Sequence, residues 1–163
     1  MTQDAQKIRL ILELRQAGIT DTAILAAMEK VPRERFVPQP FSDRAYDGMA
    51  LPIGHGQTIS QPVVVARMIA ALDINDRIKV LEIGAGSGYQ TAILSYLSRR
   101  VYAIERHRDL LLGAQKLLDE MRRYNVTAVV GDGTLGWPDQ APFERIIVSA
   151  AAPEIPTLLT DQL

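Results

Sequence analysis

Residues 79–89 read Lys-Val-Leu-Glu-Ile-Gly-Ala-Gly-Ser-Gly-Tyr. Gly84, Gly86 and Gly88 alternate after a short apolar run that carries one acid, Glu82. Glycines so spaced permit unusual turns and let a ligand approach bare main chain. A buried strand feeding such a turn and then a helix is the ligand-binding corner of an open α/β sheet. A dinucleotide fingerprint would need its third glycine at position 89, where Tyr89 stands. The spacing therefore argues against a nicotinamide-dependent dehydrogenase, although alone it also fits a tight strand-to-helix turn. Glu105 follows Gly84 by 21 positions. An acid there can accept hydrogen bonds from both hydroxyls of a ribose, or stand as a surface acid at a strand end. Asp132, just before Gly133, can accept from an adenine amino group or form an ordinary Asx turn. Thr58 and Ser60 precede Pro62, a residue suited to the first turn of a helix. One reading makes them capping and turn residues. The other has two hydroxyls and free backbone donors at a helix N-terminus facing a carboxylate.

The elements that must position these groups are readable from periodicity. Ile8, Ile11, Leu12 and Leu14 recur at helical spacing up to Gly18. Thr20 or Asp21 caps a second helix, with Ile24, Leu25, Met28 and Val31 inward and a stop at Pro32. These helices precede any strand and form an N-terminal extension. Residues 32–62 carry five prolines and little periodicity. They are too apolar for disorder and read as an ordered wrapping segment that leads to a ligand site. A helix then runs from Pro62 to about Leu72, capped by Ser60 or Gln61. Strands follow at 78–83, 101–104, 126–130 and 145–149, with helices at 89–97 and from Leu110 to Met121, and a further helix begins at Pro156. Strands alternating with helices give a parallel sheet with right-handed crossovers. The expectation is a single domain over 1–163, with helices and wrapping segment in 1–77 and the ligand-binding core in 78–163.

With 163 residues, 47% hydrophobic and 23% charged, the chain has the composition of one globular domain. A net charge of -1 gives no electrostatic case for a nucleic-acid or membrane surface. Cysteine is absent, which excludes disulfides and thiol chemistry. The polar start and the lack of a long apolar run indicate a cytoplasmic protein. His55 and His107 are the only histidines. They lack metal-ligand spacing, so no metal site is expected and both rings should face solvent. Arg99, Arg100, Arg106 and Arg108 form a basic cluster that reads as a solvated rim.

The G-x-G-x-G turn with an acid two residues ahead looks like motif I of the S-adenosylmethionine-dependent methyltransferases. Other stretches narrow this. V-P-R-E-R-F-V-P at 31–38, A-L-P-I-G-H-G-Q-T-I-S-Q-P at 50–62 and L-E-I-G-A-G-S-G-Y-Q-T-A at 81–92 are similar to signatures of the protein-L-isoaspartate O-methyltransferases. So are A-I-E-R at 103–106, G-D-G-T-L-G-W-P at 131–138 and A-A-A-P-E-I-P at 150–156. The resemblance covers nearly the whole chain, and the G-Q-T-I-S-Q-P segment is its most specific part. It implies a Rossmann-like methyltransferase sheet of strand order 3-2-1-4. It also implies methyl transfer from S-adenosylmethionine to the α-carboxylate of L-isoaspartyl residues in damaged proteins, leaving S-adenosylhomocysteine. By motif, Ser60 is the active-site residue, and Gln57, Thr58, Ile59 and Ser60 close over the cofactor. Glu82 with Gly84, Ala85, Gly86 and Gly88 would hold the methionine part, Glu105 the ribose, and Asp132 with Gly133 the adenine.

The resembling family continues into further strands that this sequence, ending at Leu163, lacks. The expectation is a fourth strand, 145–149, left as an apolar edge open to self-association. Residues 156–163 folding across the sheet would be the other way to cover it. A cofactor-binding but weakly active fragment stands as the alternative function, beside a methyltransferase of other substrates.

Overall fold

The computed structural model describes residues 2–163. Helix α1 (Gln3–Gln16) buries Leu10 and Leu14. It ends in a Schellman turn, in which Gly18 N–H reaches the Arg15 carbonyl and Ile19 N–H the Leu14 carbonyl. Asp21 rather than Thr20 caps α2 (Thr22–Lys30), accepting from Ala23 N at 2.8 Å and Ile24 N at 3.2 Å. Val31 is extended, as a residue before proline prefers, and α2 stops there.

The wrapping segment has more regular structure than its composition suggests. Two 3₁₀ turns, Arg33–Phe36 and Gln39–Arg44, lead into an antiparallel hairpin of β1 (Leu51–Gly54) and β2 (Gln57–Ile59). Its tip has three successive residues in left-handed conformation, Gly54, His55 and Gly56. The strands are only four and three residues long and contain Pro52, so alternation never becomes readable. Pro62 then opens α3 (Pro62–Leu72).

Four parallel strands form the main sheet: β3 (Lys79–Ile83), β4 (Arg100–Glu105), β5 (Val126–Val130) and β6 (Arg145–Val148). They lie in the order β5-β4-β3-β6, the 3-2-1-4 order expected. Glu82 sits in register with Ala103 on one side and Ile147 on the other. Helices α4 (Tyr89–Leu97) and α5 (Arg108–Glu120) follow β3 and β4. Alternation along the strands divides the interior. Val80, Val101 and Ile147 join α1, α2, the hairpin, α3 and α4 in one core, while Leu81, Ile83, Ile104 and Phe143 build a second.

Strand β6 pairs only with β3 among the described residues, so its outer side is an edge. The short helix α6 (Thr157–Thr160) folds across the second face instead of along that edge. Leu159 enters the second core, and buried Gln162 accepts from Trp137 N at 2.7 Å while donating to the Leu135 carbonyl at 2.9 Å. Trp137 meets Tyr102 edge-on in the same layer.

Candidate functional site

The turn after β3 places its glycines against other elements. Gly88 caps α4 at φ +89, and a Cβ there would lie 2.8 Å from the Ala114 Cβ of α5. A Cβ on Gly86 would stand 3.2 Å from Ile53 of the hairpin. The hairpin therefore rests directly on the glycine turn. Two adjoining cavities of about 40 and 100 Å³ lie between them, sharing Ile53, Thr58, Gly84, Gly86 and Ser149 as walls.

The larger cavity is lined by Gln57, Ile104, Glu105, Gly131 and Gly133. Glu105 is 5% exposed. One carboxylate oxygen accepts from Gly86 N at 2.8 Å and the other from His107 N at 2.9 Å. It thus fixes the glycine turn and the start of α5 while each oxygen keeps a spare acceptor site. Asp132 is exposed outside this cavity, and its Oδ1 accepts from the N–H and the hydroxyl of Thr134 at 2.9 and 2.7 Å. Those bonds hold its carboxyl below the usual carboxylate range. The Asx-turn reading is realised, and Gly133 is the member of the pair at the cavity wall.

The smaller cavity is lined by Ile59, Ser60, Ala85, Tyr89 and Gln90. Gln61 caps α3 without any side-chain hydrogen bond, so Ser60 is not the helix cap. Glu82 lies beneath the turn, fully buried and in neither cavity wall. Its Oε1 accepts from Gln90 Nε2 at 3.0 Å and its Oε2 from the Thr91 hydroxyl at 2.5 Å. Burial pushes this carboxyl up to about 7 against those two hydrogen bonds, with Glu105 adding to the rise. Gln90 Nε2 also donates to the Ser149 hydroxyl at 2.6 Å. A chain of side chains therefore joins the floor of the turn to the end of β6.

Gln90 was not picked out by sequence reasoning. The legible signal was a polar pair, Gln90-Thr91, in a helix whose other inward positions, Ser95 apart, are apolar. His107 also departs from the solvent-facing expectation. Its ring stacks on His55 at 4.8 Å between centres, and its Nε2 is covered without a partner among the described residues. His55 Nε2 stands 3.6 Å from Asp109. No group of three potential metal ligands occurs among the described residues.

These features fit a nucleoside joined to an amino acid. Bare main chain and a buried acid with spare acceptor capacity face one cavity, and hydroxyls with helix-end donors face the other. Comparison with known proteins agrees. The profile of the family described as protein-L-isoaspartate(D-aspartate) O-methyltransferase matches residues 5–163. A protein-L-isoaspartate O-methyltransferase of Rhodospirillum rubrum is 60% identical over 164 residues, covering 100% of this chain and 75% of its own. One of Rhodospirillum centenum is 56% identical, with 100% and 74% covered. The chain thus spans about three quarters of these relatives. A solved protein-L-isoaspartate O-methyltransferase superposes with a TM-score of 0.86 at 27% identity, over 96% of this chain and 51% of that one. A Plasmodium falciparum structure named for the same activity, in complex with S-adenosyl-L-homocysteine, gives a TM-score of 0.82 at 23% identity over 95% and 78%. That second likeness bears on the fold alone. Glycine turn, buried acid and hairpin arise in this chain at the positions of the quoted signatures, and the chain belongs to the protein-L-isoaspartate(D-aspartate) O-methyltransferase family.

Proposed function

We propose that the protein methylates the free α-carboxylate of L-isoaspartyl residues in damaged proteins, using S-adenosylmethionine. The family match over residues 5–163 carries this reading, and it favours the enzyme over a merely cofactor-binding fragment. When bound, the cofactor supplies an electrophilic methyl group on a sulfonium centre. The acceptor carboxylate, with a pKa of roughly 4, is ionised at neutral pH and needs no general base. Ser60, Thr58 and the N-terminus of α3 orient it by hydrogen bonding, and the hairpin excludes water. Glu105 takes the ribose, Gly133 and Asp132 border the adenine, and residues 84–88 border the methionine part. Glu82 acts from below the turn, holding Gln90 and Thr91. Residues 57–60 close over the cofactor, a reading supported by the contact of Ile53 with the glycine turn.

A cytoplasmic location is part of the same reading, supported by the cysteine-free sequence. No helix among the described residues is long and apolar enough to cross a membrane. The decisive experiment is methyl transfer to an isoaspartyl peptide beside its normal aspartyl counterpart. Turnover of the first alone is expected, and equal turnover of both, or of neither, would overturn the assignment. Ser60→Ala should lower that turnover about 10- to 1000-fold with little change in cofactor affinity.

A further inference from the structure

Arg33 belongs to the V-P-R-E-R-F-V-P stretch, to which the site described above assigns no task. It is fully buried, yet it enters none of the ion pairs among the described residues. Its Nε donates to the Ala45 carbonyl at 2.6 Å, and its Nη2 to the Ser60 carbonyl at 2.8 Å. The guanidinium lies 4.7 Å from the centre of the Tyr89 ring, and Nη1 has no hydrogen-bond partner among the described residues. Taking a guanidinium out of water carries a desolvation cost, so a buried charge is weak evidence of stabilisation. Its contacts instead bear on placement. Ser60 and Tyr89 both line the smaller cavity. Ser60 precedes α3, whereas Tyr89 is the first residue of α4 behind the glycine turn. The planar guanidinium fixes two donor directions at once, which an ammonium cannot do.

We propose that Arg33 is a positioning residue for methyl transfer. Through the Ser60 carbonyl it sets the distance between the Ser60 hydroxyl and the glycine turn. This rests on the reading of Ser60 as the group that orients the carboxylate. A displacement of about 1 Å at a reacting group costs roughly 100-fold in rate.

The test is a double-mutant cycle on the full chain with an isoaspartyl peptide. Calorimetric affinity for S-adenosylhomocysteine and thermal melting are measured on the same samples. Arg33→Lys should lower kcat roughly 10- to 100-fold and leave S-adenosylhomocysteine affinity within about 3-fold. Added to Ser60→Ala, it should lower kcat by no more than about 3-fold further, because it acts through that residue. The same fold loss in both backgrounds, or a kcat that falls in proportion to the folded fraction, would overturn the proposal. If Arg33→Lys does not fold, Arg33→Met, an apolar chain of similar reach, completes the cycle. A wild-type rate in Ser60→Ala alone would sink the Ser60 reading and this proposal together. An inactive wild type would sink the function itself.

Discussion

The Glu105 carboxylate holds main chain at Gly86 and at His107, at the wall of the larger cavity. Glu105→Ala is therefore expected to weaken S-adenosylhomocysteine binding by about 2–4 kcal/mol, through lost charge-assisted bonds and a loosened turn. Glu105→Gln, which keeps the shape, should lose less. Calorimetric titration of the two variants checks both, and unchanged affinity in the alanine variant would remove Glu105 from the site. Glu82 gives a prediction in pH. Its folded pKa of about 7 lies above the ordinary 4.5, so the folded state binds the proton more tightly than the unfolded chain. Its contribution to stability is fully present below pH 4.5 and is lost as pH rises through 7. The loss is on the order of 3 kcal/mol. Glu82→Gln should lack this fall, so its stability relative to wild type should improve across that window. Urea titrations at several pH values would show it, and parallel curves for the two proteins would refute it.

Elements meet at the glycine turn with little room. Gly88→Ala combines a left-handed backbone with a contact on Ala114 of α5, and should destabilise by about 2–3 kcal/mol. Chemical denaturation measures this, and a change below about 0.5 kcal/mol, typical of a neutral surface substitution, would mean that α4 and α5 shift freely. The sheet and most helices were legible in the sequence because apolar runs at 78–83, 101–104, 126–130 and 145–149 are bounded by turn residues. The hairpin was not, because its strands are short and its register rests on contact with the glycine turn. Arg33 was equally hidden. Its partners are the carbonyls of residues 45 and 60, and a main-chain acceptor leaves no mark on residue type. The place of Glu105 at a strand end could be read from spacing, and Ser60 was singled out by resemblance, whereas the Glu82–Gln90–Ser149 chain needs a fold that brings β6 beside β3.

At the scale of the molecule, the open side of β6 and the 37% exposure of Val148 offer pairing groups to another chain. Self-association through that edge is expected to raise the weight-average mass with concentration in light scattering. A constant monomer mass up to the millimolar range, where even an association as weak as about 4 kcal/mol shows, would exclude it. The hairpin tip offers a different use. The chain's only two imidazoles are stacked, one on the hairpin tip and one two residues after Glu105. Each ring shields the other's carbon-bound protons, so the molecule carries its own magnetic-resonance gauge of hairpin position. A titration with S-adenosylhomocysteine that reseats the hairpin must move both histidine signals together, at one ligand concentration and one exchange rate. Independent movement of the two would mean that the tip swings without the strands beneath it.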